Sequence, residues 1–357
     1  MRCWTIALLT VLTVCLASGS SRFSPAWAGE KDGRLDLYFI DVEGGAATLM
    51  VSPVGESILI DSGYPDNMGR DRDRILNVVR DVAGLKEINH AVVTHWHLDH
   101  YGNHAAVAAE IPIRNFWDRG IPDALQEDRG YQDRIVPYRA ASQNQSKTLH
   151  AGEKFEIPAK SVPLQATVLT ASREVIPNTG EPNPFAAEYV PMPEDHSDNA
   201  ASISLLFQFG DFRFLCCGDL TWNLEKELVT PNNPIGQVDL FQVTHHGLGI
   251  SNNPVLVKAI DPVVCIMCNG AQKGGAAKVI ATLRSAASFQ ALYQLHRNLS
   301  LTADQQAPLE FIANTGKTEE CQGNWIKVSV APDSQTYTVQ IGPEGTPATY
   351  STRHVKK

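Results

Sequence analysis

Residues 88–100 read Ile88-Asn89-His90-Ala91-Val92-Val93-Thr94-His95-Trp96-His97-Leu98-Asp99-His100. A β-branched run from Ile88 to Thr94 breaks off in a polar cluster, the pattern of a strand that feeds a site at its carboxyl end. Upstream, Ile75, Val78, Val79 and Val82 recur at helical spacing between Asp71 and Gly84, so a helix precedes the strand. The cluster places three imidazoles and a carboxylate within six residues, His95 to His100. A folded core has no use for histidine at that density. Neutral imidazole and carboxylate are the usual nitrogen and oxygen ligands of zinc and similar ions, and a turn leaving a strand aims neighbouring side chains at adjacent points.

Three further clusters obey the same rule: Asp61 follows Ile58-Leu59-Ile60, Asp219 follows the run Phe212 to Cys217, and His245-His246 follows Val238 to Thr244. A single Asp past a strand is more often a turn residue or a helix cap. Four polar clusters, each just past an apolar strand, imply one shared pocket.

The rest of the chain supplies a frame for that pocket. Leu35–Phe39 and Ala46–Val51 flank Glu43-Gly44-Gly45 as a hairpin, and His104–Glu110 reads as a short helix before a strand at Ile111–Phe116. Residues 117–157 are polar and charged and resist assignment, which marks an insertion or lid. After a strand at Leu164–Thr170, residues 173–198 carry five prolines and little periodicity, as a long surface loop does. Strands at Ala201–Phe209, Phe212–Cys217, Val238–Thr244 and Val263–Cys268 alternate with helices after Asp219, near Val255 and over 276–292. Trp325–Val330 and Tyr337–Ile341 close the chain as a strand pair. Strands inside and helices outside argue for one layered α/β domain over 29–357.

Composition sets the outer limits. The 357 residues are 43% apolar and 19% charged, an ordinary globular balance without collagen-like or low-complexity tracts. Residues 1–28 read as a cleavable secretory signal peptide: Arg2 at the start, an apolar run from Trp4 to Leu16, and Ala26-Trp27-Ala28 as the small-x-small cleavage site. A secreted or periplasmic location follows as an expectation, and no later stretch reaches the roughly 20 apolar residues of a spanning helix. Cleavage would remove Arg2 and Arg22 and no acid, taking the formal charge from −9 to −11. Such a surface repels polyanions, so long nucleic acid is not an expected partner. Five cysteines would remain, Cys216, Cys217, Cys265, Cys268 and Cys321; Cys265-x-x-Cys268 lacks a second such pair and reads as buried strand rather than zinc knuckle.

The order Asp61, His95/His97/Asp99/His100, Asp219, His245 resembles the metallo-β-lactamase superfamily. More narrowly, Asp41-Val42-Glu43-Gly44-Gly45-Ala46, Asn199-x-x-Ser202, Cys217-Gly218-Asp219 and His245-His246-Gly247 are similar to the extracytoplasmic hydrolase domain of the competence (DNA-uptake) proteins, over about Leu35 to Leu292. Departures are Glu43-Gly44-Gly45 in place of a Gly-Gln-Gly-Asp type turn, Leu248 where Ser usually follows His-His-Gly, and the missing His-Pro pair around Gly274-Gly275. The membrane channel of those proteins has no counterpart here.

The resemblance implies an αββα sandwich, two mixed β-sheets flanked by helices, with two divalent metal ions at its edge. It implies that His95 and His97 bind the first ion, Asp99 and His100 the second, and Asp219 both. His245 would be the further ligand of the second ion, with His246 behind it or donating a proton, and Asp99 and His246 the catalytic pair. Asp61 would orient a ligand imidazole. His196, three residues before Asn199, is the candidate for the remaining first-metal ligand, one that the competence branch tends to lack. His90, His104, His150, His296 and His354 are expected to be structural or exposed.

Zinc is the expected metal, with manganese or iron as alternatives. The expected activity is hydrolysis of phosphoester or phosphodiester bonds in small or surface-attached substrates by a metal-activated hydroxide. Lactone or β-lactam hydrolysis is the enzymatic alternative, and a non-catalytic metal-binding module of the same fold is the other.

Overall fold

The computed structural model describes residues 32–65 and 67–353; the signal-peptide expectation and His354 lie outside them. The first sheet orders its strands as Ala348–Ser351, Thr336–Ile341, Ile326–Val330, Leu35–Phe39, Thr48–Val51, Ser57–Ile60, Ile88–Val92, Ile113–Asp118 and Lys147–Thr148. The second runs Ile312–Asn314, Ala291–His296, Val264–Met267, Leu240–Gln242, Phe212–Cys216, Ser204–Phe209, Leu164–Ala171 and Lys154–Ile157, with Glu174–Val175 paired to Leu164–Ala171. Both sheets are mixed. In the first, Ser57–Ile60, Ile88–Val92 and Ile113–Asp118 are parallel while the Leu35–Val51 hairpin is antiparallel. In the second, Phe212–Cys216, Leu240–Gln242 and Val264–Met267 are parallel.

Side-chain alternation builds the layers. Leu35, Leu37, Phe39, Ile58 and Ile60 pack inward against Phe207, Phe214, Val264 and Ile266 of the facing sheet, where Phe39 meets Phe214 edge-on at 5.9 Å. Tyr38, Leu49 and Leu59 point the other way, onto Ile75, Val79 and Val107 of the helical stretches Arg70–Asn77, Val78–Val82 and His104–Glu110. On the far side, Leu215, Phe241 and Cys265 are covered by Leu228, Leu256 and Leu283 from helices Trp222–Val229, Pro254–Ile260 and Ala277–Arg284. The expected αββα sandwich is therefore present. Because both sheets are buried on two faces, these strands read as continuous apolar runs rather than alternating ones. Burial of each such side chain contributes about 1.5–3 kcal/mol.

One expected element differs. The helix read over 276–292 ends at Arg284, and Ala291–His296 is a fully buried strand. Between them Asp261 accepts hydrogen bonds from the Ser288 backbone N–H and hydroxyl, at 2.8 and 2.7 Å, which ties this turn to the end of the preceding helix and stops propagation.

The stretch read as a lid forms helices Tyr131–Arg134 and Val136–Ala141 and then crosses between sheets through Lys154–Ile157. Tyr138 and Tyr131 pack against Trp96 at ring separations of 5.0 and 6.4 Å, and the Trp96 indole donates to the Gly120 carbonyl at 2.9 Å. Trp96 thus anchors the motif in this cluster, while the rings of His95 and His97 lie 4.8 Å apart beside it. Among the described residues all five cysteines are free, with Cys216, Cys217, Cys265 and Cys268 buried.

Candidate metal centre

Parallel pairing brings the polar clusters together. Ser57–Ile60 lies beside Ile88–Val92 in one sheet and Phe212–Cys216 beside Leu240–Gln242 in the other, so all four carboxyl ends reach one edge of the sandwich. Past those ends the backbone turns sharply. Asp61, His245 and His246 sit at φ 59, 54 and 52°, left-handed conformations that cost non-glycine residues of order 1 kcal/mol or more each and that gather at functional sites. Gly218, at φ 53°, precedes Asp219; a Cβ there would stand 3.0 Å from Thr94 Cβ. Helix Leu98–Tyr101 begins after His97 and carries Asp99 and His100 in its single turn.

Asp219 Oδ2 is the point on which the imidazoles converge. His100, His245, His246 and His95 place Nε2 at 3.3, 3.4, 3.4 and 3.9 Å from it. His246 Nε2 also lies 3.2 Å from Asp99 Oδ2 and 3.2 Å from His100 Nε2. The ring of His97 is 4.8 Å from that of His95, with its Nε2 3.2 Å from Glu127 Oε1 at the rim.

Each inner imidazole is held from behind through Nδ1: His100 by Asp61 at 2.8 Å, His95 by Thr94 Oγ1 at 3.1 Å, His245 by Ser251 Oγ at 3.1 Å, and His246 by the Cys268 carbonyl at 3.0 Å. Asp61 is itself fixed by the Thr94 N–H and hydroxyl, both at 2.8 Å. This is the outer-shell arrangement that aims histidine at a cation.

The electrostatics have the same origin. Burial disfavours charge on every group here, but the Asp219, Asp99 and Asp61 carboxylates outweigh it at His100 and lift that imidazole well above its ordinary range. Conversely, burial would raise Asp219 and Asp99, yet the imidazoles around them, His100 foremost, hold both well below the usual carboxylate range. His95 is different. Burial, with the nearby charge of His100, keeps it well below its ordinary value, so a neutral Nε2 lone pair lies 3.9 Å from Asp219 Oδ2. That atom is buried with no hydrogen-bond partner among the described residues. An orphaned imidazole nitrogen 3.9 Å from a buried carboxylate fits a cation between them. Asp99, His100, Asp219 and His246 offer ligand atoms all within 4.8 Å of one another.

Two expected placements are corrected. His246, not His245, joins the tight set with Asp99 and His100, because two successive left-handed residues turn the backbone so that His246 Nε2 reaches Asp99 Oδ2 at 3.2 Å as well as Asp219 Oδ2 at 3.4 Å. His245 instead places Nε2 3.4 Å from Asp219 Oδ2 outside that set. His196 is exposed, and the structure does not bring it into the cluster; only its carbonyl is engaged, by Arg173 at 2.7 Å. Of the histidines expected to be structural or exposed, His104 is buried on Ser62 with its pKa lowered to about 4 by desolvation, and His150 is exposed.

Three site residues escaped the sequence. The Lys273 amine contacts Asp99 and donates to the Tyr64 hydroxyl at 2.9 Å, and Glu127 reaches His97. Lys273 lies in the turn between Val264–Met267 and Ala277–Arg284, another polar stretch past a parallel strand, and that was the available signal.

The metallo-beta-lactamase superfamily model matches residues 40–262. No curated protein matches the chain. Among solved structures, CmlA beta-hydroxylase (E377D mutant) is similar at 15% identity and a TM-score of 0.43, over 74% of this chain and 52% of that one. A metal-dependent hydrolase described as putative, from Parabacteroides distasonis, is similar at 15% identity and a TM-score of 0.39, over 76% and 96%. The archaeal metallo-beta-lactamase superfamily protein ST1585 from Sulfolobus tokodaii is similar at 13% identity and a TM-score of 0.28, over 51% and 62%. The chain thus spans about half the length of CmlA.

Proposed function

The chain belongs to the metallo-beta-lactamase superfamily, and from that premise we propose that it is an exported hydrolase of phosphoester or phosphodiester bonds that works with two divalent ions. The carrying observation is the convergence of four imidazole Nε2 atoms, each within 3.9 Å, on Asp219 Oδ2. His95, His97 and His245 would hold one ion, Asp99, His100 and His246 the other, and Asp219 both. Bound there, such a pair would supply Lewis acidity and lower the pKa of a water toward about 7.

The chain's own groups do the rest. Thr94, Asp61, Ser251 and the Cys268 carbonyl hold the rings in one tautomer and orientation. Lys273, a third exposed at the rim, and the Tyr64 phenol offer a cation and a hydroxyl to an anionic oxygen; this favours a phosphoryl substrate over a neutral ester. The narrower likeness to the competence-protein domain is part of the same reading. In support, Ser202 Oγ accepts from the Asp219 N–H at 3.2 Å, which gives the Asn199-x-x-Ser202 motif a role behind the central carboxylate. The formal charge of −9 favours small or surface-attached esters over long nucleic acid, and among the described residues no helix is long and apolar enough to cross a membrane.

The test joins metal analysis of the purified protein to a panel of an aryl phosphodiester, a chromogenic cephalosporin and an acyl lactone. Two equivalents of zinc and phosphodiester turnover lost in Asp219→Ala are expected. Rapid lactam or lactone turnover beside an inert phosphodiester would transfer the reading to those substrates. Bound metal with no turnover in the wild type would make the fold a binding module.

A further inference from the structure

We infer that Asp41, Glu43, His296 and Cys321 form a separate site for a divalent ion of zinc type, a structural clip between the two sheets. Their ligand atoms all lie within 4.8 Å of one another, and the set offers nitrogen, sulfur and two carboxylates, a donor mixture suited to zinc. The donors come from distant parts of the chain. Asp41 and Glu43 follow strand Leu35–Phe39 of the first sheet, His296 ends strand Ala291–His296 of the second, and Cys321 follows the turn Thr318–Glu320.

The orientation of each group is specific. Asp41 Oδ1 lies 2.6 Å and Glu43 Oε2 3.6 Å from His296 Nε2, and the Cys321 thiol donates to Asp41 Oδ2 at 3.1 Å. Arg74 takes the outward oxygens, with Nη1 2.6 Å from Asp41 Oδ2 and 3.3 Å from Glu43 Oε1. Each carboxylate therefore keeps one oxygen on a guanidinium and turns the other toward the imidazole, the outer-shell support that ligating carboxylates ordinarily have. The side chains of Asp41 and His296 are fully buried and that of Glu43 nearly so.

Charge closes the account. Two carboxylates, one guanidinium and a thiolate sum to minus two, which a divalent ion cancels; buried charge is tolerated only when compensated in this way. On loading, the Cys321 S–H bond breaks, its proton leaves to solvent, and the sulfur electron pair forms the bond to the ion. His296, whose Nε2–H faces Asp41 Oδ1 at 2.6 Å in the metal-free protein, releases that proton to solvent and carries its remaining proton on Nδ1, so Nε2 gives its lone pair to the ion; no electrons are transferred.

The clip sits under the candidate centre without belonging to it. Between Glu43 and the next strand, the Ala46 N–H donates to the Asp99 carbonyl at 3.0 Å, and a Cβ on Gly45 would stand 2.5 Å from that oxygen. An ion at Asp41 and Glu43 would hold the turn against which Asp99 is seated.

Cobalt separates the two sites, because the ligands at the Asp219 centre carry no sulfur. The metal-free full chain is titrated with Co²⁺, alongside Asp219→Asn and Cys321→Ser. The wild type should develop a near-ultraviolet thiolate-to-cobalt band that saturates with one equivalent, beyond the two that give the visible bands of the other centre. Asp219→Asn should keep the near-ultraviolet band, with the visible bands of the clip itself, and lose about two equivalents of bound cobalt; Cys321→Ser should lose the near-ultraviolet band and keep those two equivalents. Cobalt bound in the wild type without that band, or a band surviving in Cys321→Ser, overturns the clip and leaves the hydrolase reading standing. Should Cys321→Ser fail to fold, the wild-type titration decides alone. A wild type that shows the near-ultraviolet band but binds no cobalt beyond that one equivalent would sink the dinuclear reading and not the clip.

Discussion

The two acidic histidine clusters differ in what already neutralises them. Around Asp41 and Glu43 a guanidinium occupies one oxygen of each carboxylate, and one imidazole faces the other two. Around Asp219 and Asp99 no arginine is among the partners within the described residues; imidazoles pinned through Nδ1 surround the carboxylates, and one lysine stands at the rim. A cluster closed by Arg74 has its geometry settled by fixed charge and suits holding. A cluster of titratable rings aimed at one oxygen, at the open edge of the sandwich, suits chemistry. Removal of groups from each side tests this division.

The largest effect belongs to the convergence point. Asp219→Asn removes the carboxylate shared by four imidazoles, and the kcat for the preferred substrate should fall more than about 10³-fold, since Lewis acidity supplies several kcal/mol of the barrier reduction. Steady-state kinetics on folded variant, checked by circular dichroism, measure this. Residual activity within tenfold of wild type would place the chemistry elsewhere.

Asp61→Asn comes next. It leaves the Thr94 contacts nearly isosteric but weakens the hold on His100 Nδ1, so metal affinity should drop roughly 10–100-fold, as outer-shell replacements do. Competition with a chelator reads the change, and His196→Ala is the matched control. His196 lies exposed and away from the cluster, so that variant should bind metal as the wild type does.

Lys273→Met is expected to act on substrate rather than on chemistry. Loss of one charge-assisted contact should raise KM for an anionic substrate about tenfold, with kcat changed less. An unchanged KM would remove the argument from Lys273 for a phosphoryl substrate.

The last prediction concerns the scaffold and leaves the chemistry untouched. Glu225, buried in helix Trp222–Val229, accepts the Asn252 and Asn253 backbone N–H groups at 2.9 and 2.7 Å and so ties that helix to the segment following His245-His246-Gly247. Desolvation pushes its carboxyl up to about 7, against an ordinary value of 4.5. The folded protein then binds the proton more tightly than the unfolded chain, so the contribution is greatest below about pH 4.5 and is lost as pH rises toward 7, by up to about 3 kcal/mol. Glu225→Gln should flatten that slope in denaturant melts taken across the window. An identical slope in both proteins would exclude Glu225 as its source.

The layers and the strand ends were legible because they rest on local pattern. Leu35–Phe39, Ser57–Ile60 and His104–Glu110 fall where apolar runs and helical spacing put them. The same is true of Asp61, Asp219 and the 95–100 motif, since a polar group past an apolar strand signals a sheet edge. What escaped depended on long-range contacts or unusual backbone. Ala291–His296 continued the helical spacing of Val279, Ile280 and Leu283, and only the distant Asp261 breaks it at Ser288. The order of His245 and His246 around Asp219 follows from two successive left-handed residues, which no periodicity announces. His196 was placed by its distance along the chain from Asn199, and the loop turned it outward.

Anomalous diffraction from crystals of the full chain grown with zinc would test the central claim most directly. Two peaks roughly 3.5–4 Å apart are predicted, one on each side of Asp219, the first shared with His95, His97 and His245 and the second with Asp99, His100 and His246. No zinc beside Asp219, or a single peak there that leaves His95 without a neighbour, would contradict it.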